Sequence, residues 1–191
     1  DPPKSAGSTL CSVSPLGSAR TSSFSKTVLV DVYAPAVSSA KVRCYAILDD
    51  QSTATFADPA LFEALHPEAP KASFSVSTLG GLHTEHEGRI SAEFVVRGVA
   101  MEKSFELPVV LASGLIPDTK AEVATPSAVA AWPHLARFAS CFPELDETAP
   151  VWLLLGRDAG AAITSVPMGA RYPFAHRTAL GWAVVSGGPA D

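Results

Sequence analysis

Residues 151–155 read VWLLL, with Pro150 before them and Gly156-Arg157-Asp158 after. A run this short and this uniformly apolar has no polar side to offer to water. It suits a strand buried on both faces, and five residues are too few for a core helix. The rest of the chain must then furnish two apolar layers around that strand. At 191 residues, 47% hydrophobic and 17% charged, it has material for one ordinary domain with a sizeable core.

Other short β-rich runs surround it. KTVLVDVYAP and AKVRCYAILDD, separated by AVSS, predict a hairpin. DPALFEALH predicts a short helix with Asp58 as its N-cap and Pro59 in the first position. The stretch from Ala72 to Ala112 alternates like strands, with turns expected at Gly80-Gly81, Glu87-Gly88 and Arg97-Gly98. Residues 113–150 break the alternation, and PSAVAAWPHLARFAS within them has mixed helical patterning. They are expected to form an insertion of one or two short helices and loops. HRTALGWAVVSGG predicts a final strand. Residues 1–24, rich in Ser, Pro and Gly and without periodicity, are expected to be a flexible leader to a domain spanning 25–191. The chain is predicted to be mainly β, with one to three short helices.

The gross chemistry excludes several functions. A formal net charge of −5 argues against a nucleic-acid surface, which needs clustered Lys and Arg. No apolar run approaches the ~20 residues of a membrane-spanning helix, so no membrane partner is expected. Cys11, Cys44 and Cys141 are odd in number and widely spaced, neither a disulfide framework nor a zinc pattern, which fits a reducing, intracellular setting. Cys44 lies in an apolar strand and reads as a buried, inert thiol. His83 and His86, in LHTEHE, fall on different faces of an extended segment and have no third ligand nearby, so no metal site is expected. His66 reads as a helix-end residue, and His134 and His176 as packing or surface groups. No phosphate-binding Gly loop, serine nucleophile elbow or zinc-protease helix is present, and no cofactor is expected.

The remaining chemistry-bearing feature is YAILDDQSTATF, residues 45–56. The apolar YAIL should be core, DDQS a turn, and TATF a return to half-buried strand, so two carboxylates sit on a tight loop built directly on the core. Acid–base hydrolysis by carboxylates needs a pair that divides the roles of base and acid. Asp49 and Asp50 are adjacent in extended backbone and should point to opposite faces, so they are poorly placed to be that pair. A second copy of the chain, related by a two-fold axis, would bring Asp49 against its own mate.

AILDDQSTATF resembles the active-site loop of retropepsin-like aspartic proteases: apolar residues, Asp-Ser/Thr-Gly-Ala/Ser, then Thr/Ser and an apolar residue. The register placing Asp49 on the catalytic position puts Ser52 on Ala/Ser and Thr55-Phe56 on the later pair. LLLGRD, residues 153–158, is similar to the family's second hallmark, an apolar run followed by Gly-Arg-Asn/Asp that braces the loop from behind. The hairpin in STLGGLHTEHEGRI falls where the family has its substrate-covering flap. With WPHLARFASCFPELD and PFAHRTALGWAVVSG, residues 26–187 resemble the peptidase region of BEL/Pao-type retrotransposon polyproteins or their domesticated derivatives.

The resemblance implies a closed, retropepsin-like β-barrel with one lobe per chain. It implies an aspartic endopeptidase that cuts polyprotein peptide bonds as a homodimer, in the cytoplasm or within a retroelement particle. Asp49 is then the catalytic residue, in an active-site loop that includes Asp50, Gln51, Ser52 and Thr53. Leu79, Gly80, Gly81 and Leu82 would cover substrate from the flap, and Gly156, Arg157 and Asp158 would brace the loop, with Arg157 holding it through an ion pair or backbone hydrogen bonds. The chain departs from the family pattern at Asp50 and Gln51, which replace Ser/Thr and Gly. That substitution brings extra negative charge towards the dimer axis and gives up a glycine's freedom in a tight turn. The other reading is a catalytically inactive interaction or dimerisation module on the same fold.

Overall fold

The computed structural model describes residues 24–77 and 81–186, together with the backbone of Ser5–Gly7. The chain is mainly β, with a large sheet curled into a half-barrel and a few short helices. Its strands are β1 (Ser5–Gly7), β2 (Thr27–Tyr33), β3 (Lys41–Leu48), β4 (Thr55–Ala57), β5 (Lys71–Ser77), β6 (His83–Ser91), β7 (Val95–Gly98), β8 (Ser104–Glu106), β9 (Val110–Ala112) and β10 (Val151–Leu155). These ten form one sheet in the order β1-β5-β6-β9-β4-β10-β3-β2-β7-β8. A second, three-stranded sheet joins β11 (Ser165–Met168), β12 (Phe174–Thr178) and β13 (Gly181–Val185). The helices are α1 (Pro59–Leu65), α2 (Pro126–Ala130) and α3 (Gly160–Ile163).

β10 is the strand on which the sheet depends. It runs parallel to β3 on one side and antiparallel to β4 on the other, although β3 and β4 are joined directly by the loop 49–54. Each of its faces meets apolar side chains, as the VWLLL run predicts. Leu153 and Leu155 enter a core with Val28, Val30, Cys44, Ala46, Leu48, Leu61, Phe62 and Phe94. Val151 and Leu154 enter another, with Leu29, Tyr45, Ile47, Phe56, Phe74 and Val76. The split follows the period of two in β3: Cys44, Ala46 and Leu48 on one face, Tyr45 and Ile47 on the other. Burial pushes the Cys44 thiol up to about 12, which keeps it protonated and inert.

The predicted β2–β3 hairpin forms, with Val30 opposite Cys44. In α1 the Asp58 side chain accepts a 2.8 Å hydrogen bond from the Ala60 N–H, Pro59 opens the helix, and His66 closes it.

Other expectations are corrected. Glu87-Gly88 is not a turn but lies inside β6, paired with Ser73 and Ala72. A β-carbon on Gly88 would sit 2.7 Å from the Ala112 carbonyl oxygen, so the glycine serves a close approach of strands. Gly98 ends β7 and opens a turn as expected, its O accepting the Met101 N–H at 3.0 Å, and a β-carbon there would collide with the Leu180 carbonyl. The final strand is a hairpin, β12 and β13, turning at Ala179-Leu180. Part of the expected leader, Ser5–Gly7, lies parallel to β5, and the rest of it up to Ser23 lies outside the described residues.

The insertion at 113–150 holds α2 and two 3-10 turns at Lys120–Glu122 and Ala136–Cys141. Its Val129, Leu135 and Phe142 pack with Ala175 and Val184 of the small sheet, and Phe138 stacks on Trp182.

Candidate functional site

The loop 49–54 leaves β3 beside the end of β10 and is held there by backbone. Asp49 N–H donates to Leu155 O at 3.0 Å, continuing the β3–β10 pairing by one residue. Arg157 N–H donates to Ser52 O at 2.9 Å. The buried Ser52 hydroxyl donates to Ala54 O at 2.7 Å. These bonds make the loop compact over the core, as residues 45–56 predict.

Asp49 is 8% exposed. Its Oδ1 accepts the Gln51 N–H at 2.9 Å, a local turn that fixes χ1. Its Oδ2 is buried and has no hydrogen-bond partner among the described residues. An unpartnered oxygen on a buried carboxyl is costly, typically by about 1–3 kcal/mol.

Asp50 faces the other way. Its side chain is exposed, accepts from Gln51 Nε2 at 3.0 Å, and lies 3.5 Å from Lys26 Nζ. The Gln51 hydrogen bond, and behind it the Lys26 charge, hold the Asp50 carboxyl below the usual carboxylate range against a partial burial effect. Gln51 needs no glycine-like backbone, because no described non-glycine residue has a positive φ. The two departures from the family pattern are thus accommodated: the extra charge has a cation in its own chain, and the turn suits an L-residue.

Residues 156–158 meet the loop from behind through main chain and the Asp158 side chain. Asp158 braces it, with Oδ2 accepting the Thr55 N–H at 3.1 Å and Oδ1 the Thr55 hydroxyl at 2.7 Å. Thr55 Oγ1 in turn accepts the Gly156 N–H at 3.2 Å. Gly156 has no room for a side chain, since a β-carbon would collide with the Ala54 carbonyl. The Arg157 guanidinium is exposed and makes no hydrogen bond or ion pair among the described residues, so only its backbone contributes. Thr53 is exposed on the loop.

Of the flap residues, Leu79 and Gly80 lie outside the described residues. Gly81 has φ +76°, a turn conformation suited to glycine, and a β-carbon there would meet no described atom within 4 Å; Leu82 is 61% exposed. The hairpin β5–β6 behind them presents Phe74 and Val76 to the second core, with His86 stacked on Phe74. His83 bonds Ser77 at 2.7 Å, and His66 bonds Ser91 at 3.0 Å. No group of three His, Cys, Asp or Glu among the described residues is placed to hold a metal ion.

Sequence reasoning missed one charged cluster. Asp31 in mid-β2 is 2% exposed and meets Lys41 at 3.1 Å, Arg43 at 3.0 Å and Arg97 at 3.8 Å. Arg43 and Arg97 stand directly opposite it on the two neighbouring strands. Burial raises the carboxyl, but the hydrogen bonds and charges of Arg43 and Lys41 outweigh it and leave Asp31 below its usual range. A lone Asp among valines, in register with Arg43 in a hairpin, was the available signal.

No family model, and no curated protein or solved structure at a significant level, matches this chain.

Proposed function

We propose that the chain is a retropepsin-like aspartic endopeptidase domain that cuts peptide bonds as a homodimer, with Asp49 of each copy as the catalytic residue. The observation that carries this reading is the buried, unpartnered Oδ2 of Asp49, on a loop braced from behind by Gly156 and Asp158. A second Asp49 across a two-fold axis would give that oxygen its missing partner, the two carboxyls holding one proton between them. One carboxylate would take a proton from a water as it attacks the scissile carbonyl. The other would give its proton to the carbonyl oxygen, and the leaving amine would be protonated as the tetrahedral intermediate collapses. The half-barrel sheet would then be one lobe of the closed barrel that the resemblance implies. No metal or organic cofactor enters this chemistry.

The test is sedimentation velocity at pH 5 and pH 7 with peptide-library cleavage on the same samples. A cleaving dimer, with Asp49→Asn folded and inert, supports the reading. A chain that stays monomeric and inert in every condition sinks it in favour of the interaction module.

A further inference from the structure

The end of β10 lies beside Asp49, whose N–H donates to Leu155 O, and the insertion 113–150 packs on the cluster to which Ile47 belongs. The insertion is the unexpected one. Alternation along β3 sends Tyr45 and Ile47 to the second core, and Asp49 continues that parity two residues on. Ala54, at the other end of the loop, packs on the same cluster. An extended peptide reaching Asp49 along β3 would therefore lie over this face, across Ile47 and Ala54. The insertion already lies there. Ile116, Val123, Leu145 and Ala149 pack on Ile47, Phe56, Val76 and their neighbours.

Polar ties fasten it at both ends. Thr119 Oγ1 lies 3.1 Å from Thr27 Oγ1, a buried contact beside Ile47, and Ser25 N–H donates to Glu122 O at 3.2 Å. The Asp146 N–H donates to the Tyr45 hydroxyl at 2.8 Å, and Lys120 Nζ donates to Glu147 O at 3.0 Å, clasping the two arms together.

Packing beneath it is uneven. At its start the crevice among Phe56, Val76, Leu154 and Ile116 is only about 20 Å³, room for roughly one water. Further along, a cavity of about 260 Å³ opens among Leu29, Tyr45, Val99, Val123, Pro143 and Trp182. The segment is packed tightly at its start and over a cavity further along, while Val129, Leu135 and Phe142 anchor its middle to the small sheet, so any opening concerns the arms that lie over Ile47 and Tyr45.

We propose that residues 113–150 form a self-inhibitory strap that occupies the peptide-binding face beside Asp49, and that substrate gains access only when the strap is lifted or cut. This rests on the aspartic-peptidase reading. A strap open about a tenth of the time or less lowers apparent peptide affinity about 10-fold or more.

The experiment places a site-specific protease sequence between Pro143 and Glu144, both exposed, in the full chain, and compares it intact and cut. The probes are a peptide library and a fluorescein-labelled, Leu- and Val-rich peptide of about eight residues, long enough to lie along a strand. The expected result is at least about 10-fold faster cleavage after cutting, abolished by Asp49→Asn in the cut chain. Equal rates before and after cutting overturn the strap and leave the peptidase reading standing. If neither form cleaves, the peptidase reading fails and labelled-peptide binding decides the strap. Tighter binding by the cut chain supports it, and equal binding overturns it. Should cutting unfold the chain, Tyr45→Phe with Lys120→Ala removes two of the four ties, those to Asp146 and Glu147, without a break and is judged by the same two readouts.

Discussion

Thr55 and Asp158, 103 positions apart, are joined twice: the Asp158 carboxylate accepts both the N–H and the hydroxyl of Thr55. Thr55 is fully buried, so it has no water to fall back on. Asp158→Ala should cost about 1–3 kcal/mol by stranding both donors. Arg157→Ala, which removes a guanidinium with no described partner, should stay within about 0.5 kcal/mol of wild type. Urea denaturation of the two variants separates them, and equal losses would return the bracing role to Arg157.

Gly156 and Gly160 make a second contrast, four residues apart. A methyl at Gly156 meets the Ala54 carbonyl, whereas one at Gly160, with helical φ −45° and ψ −42°, meets nothing within 4 Å. Gly156→Ala should destabilise by about 1–3 kcal/mol through overpacking. Gly160→Ala should be neutral or stabilise by up to about 1 kcal/mol. Thermal midpoints report both.

Asp31 predicts an acid limb. Its carboxyl is lowered in the folded chain, so its contribution is full above the unfolded value near 3.9 and is lost as pH falls through the lower folded value. Asp31→Asn should destabilise at pH 7 by about 1–3 kcal/mol, since Lys41 and Arg43 keep part of their hydration. Below pH 4 the two proteins should converge. Parallel curves down to pH 2 would show that the cluster has no linkage to folding.

His176 works in the same direction at higher pH. Burial, aided by the positive charge of Lys26, pushes its imidazole below the usual value, and its Nδ1 is buried without a partner. The unfolded chain binds this proton first, so stability should decline as pH falls below about 6.5. An NMR titration of the His176 ring should give a midpoint below that value, and one at or above it would contradict the burial argument.

Lys26 and Asp50 bear on assembly. In the single chain Asp50 is held below the usual carboxylate range by Gln51 and Lys26. If Asp49 loops meet at an axis, Lys26→Ala leaves two Asp50 charges uncompensated there. The dimer should weaken a few-fold at low salt and recover in high salt, where exposed charges are screened. Sedimentation across a salt series measures it, and a salt-independent loss would point to packing instead.

Much of the fold was legible because its signals are local. VWLLL declares a strand buried on both sides, Asp58-Pro59 a helix start, and KTVLV with VRCYAIL a hairpin. The compact turn that holds Asp49 was legible too, since DDQST follows core sequence directly. What stayed hidden depends on neighbours distant in sequence. Gly88 looks like a turn until Ala112 is placed against it. Arg157 stands out in the sequence, but the bracing is done by Asp158 and by main chain, which carries no side-chain signature. The strap could be seen as an insertion, but its seat on Ile47 and Phe56 emerges only in three dimensions.

The threading of β10 between β3 and β4 has a consequence for the order of events. Those two strands flank the Asp49 loop and are made early, yet they are not neighbours in the sheet, and what separates them arrives about a hundred residues later. A nascent chain emerging N-terminus first would carry the loop, with its acids, long before it carried the strand that shapes it. Closure of so long a span costs chain entropy before any contact rewards it. Truncation before Val151 would leave the flanks of β3 and β4 as bare strand edges, open to association with other chains. The site around Asp49 is therefore assembled among the last parts of the molecule, and a chain interrupted upstream has no means of forming it.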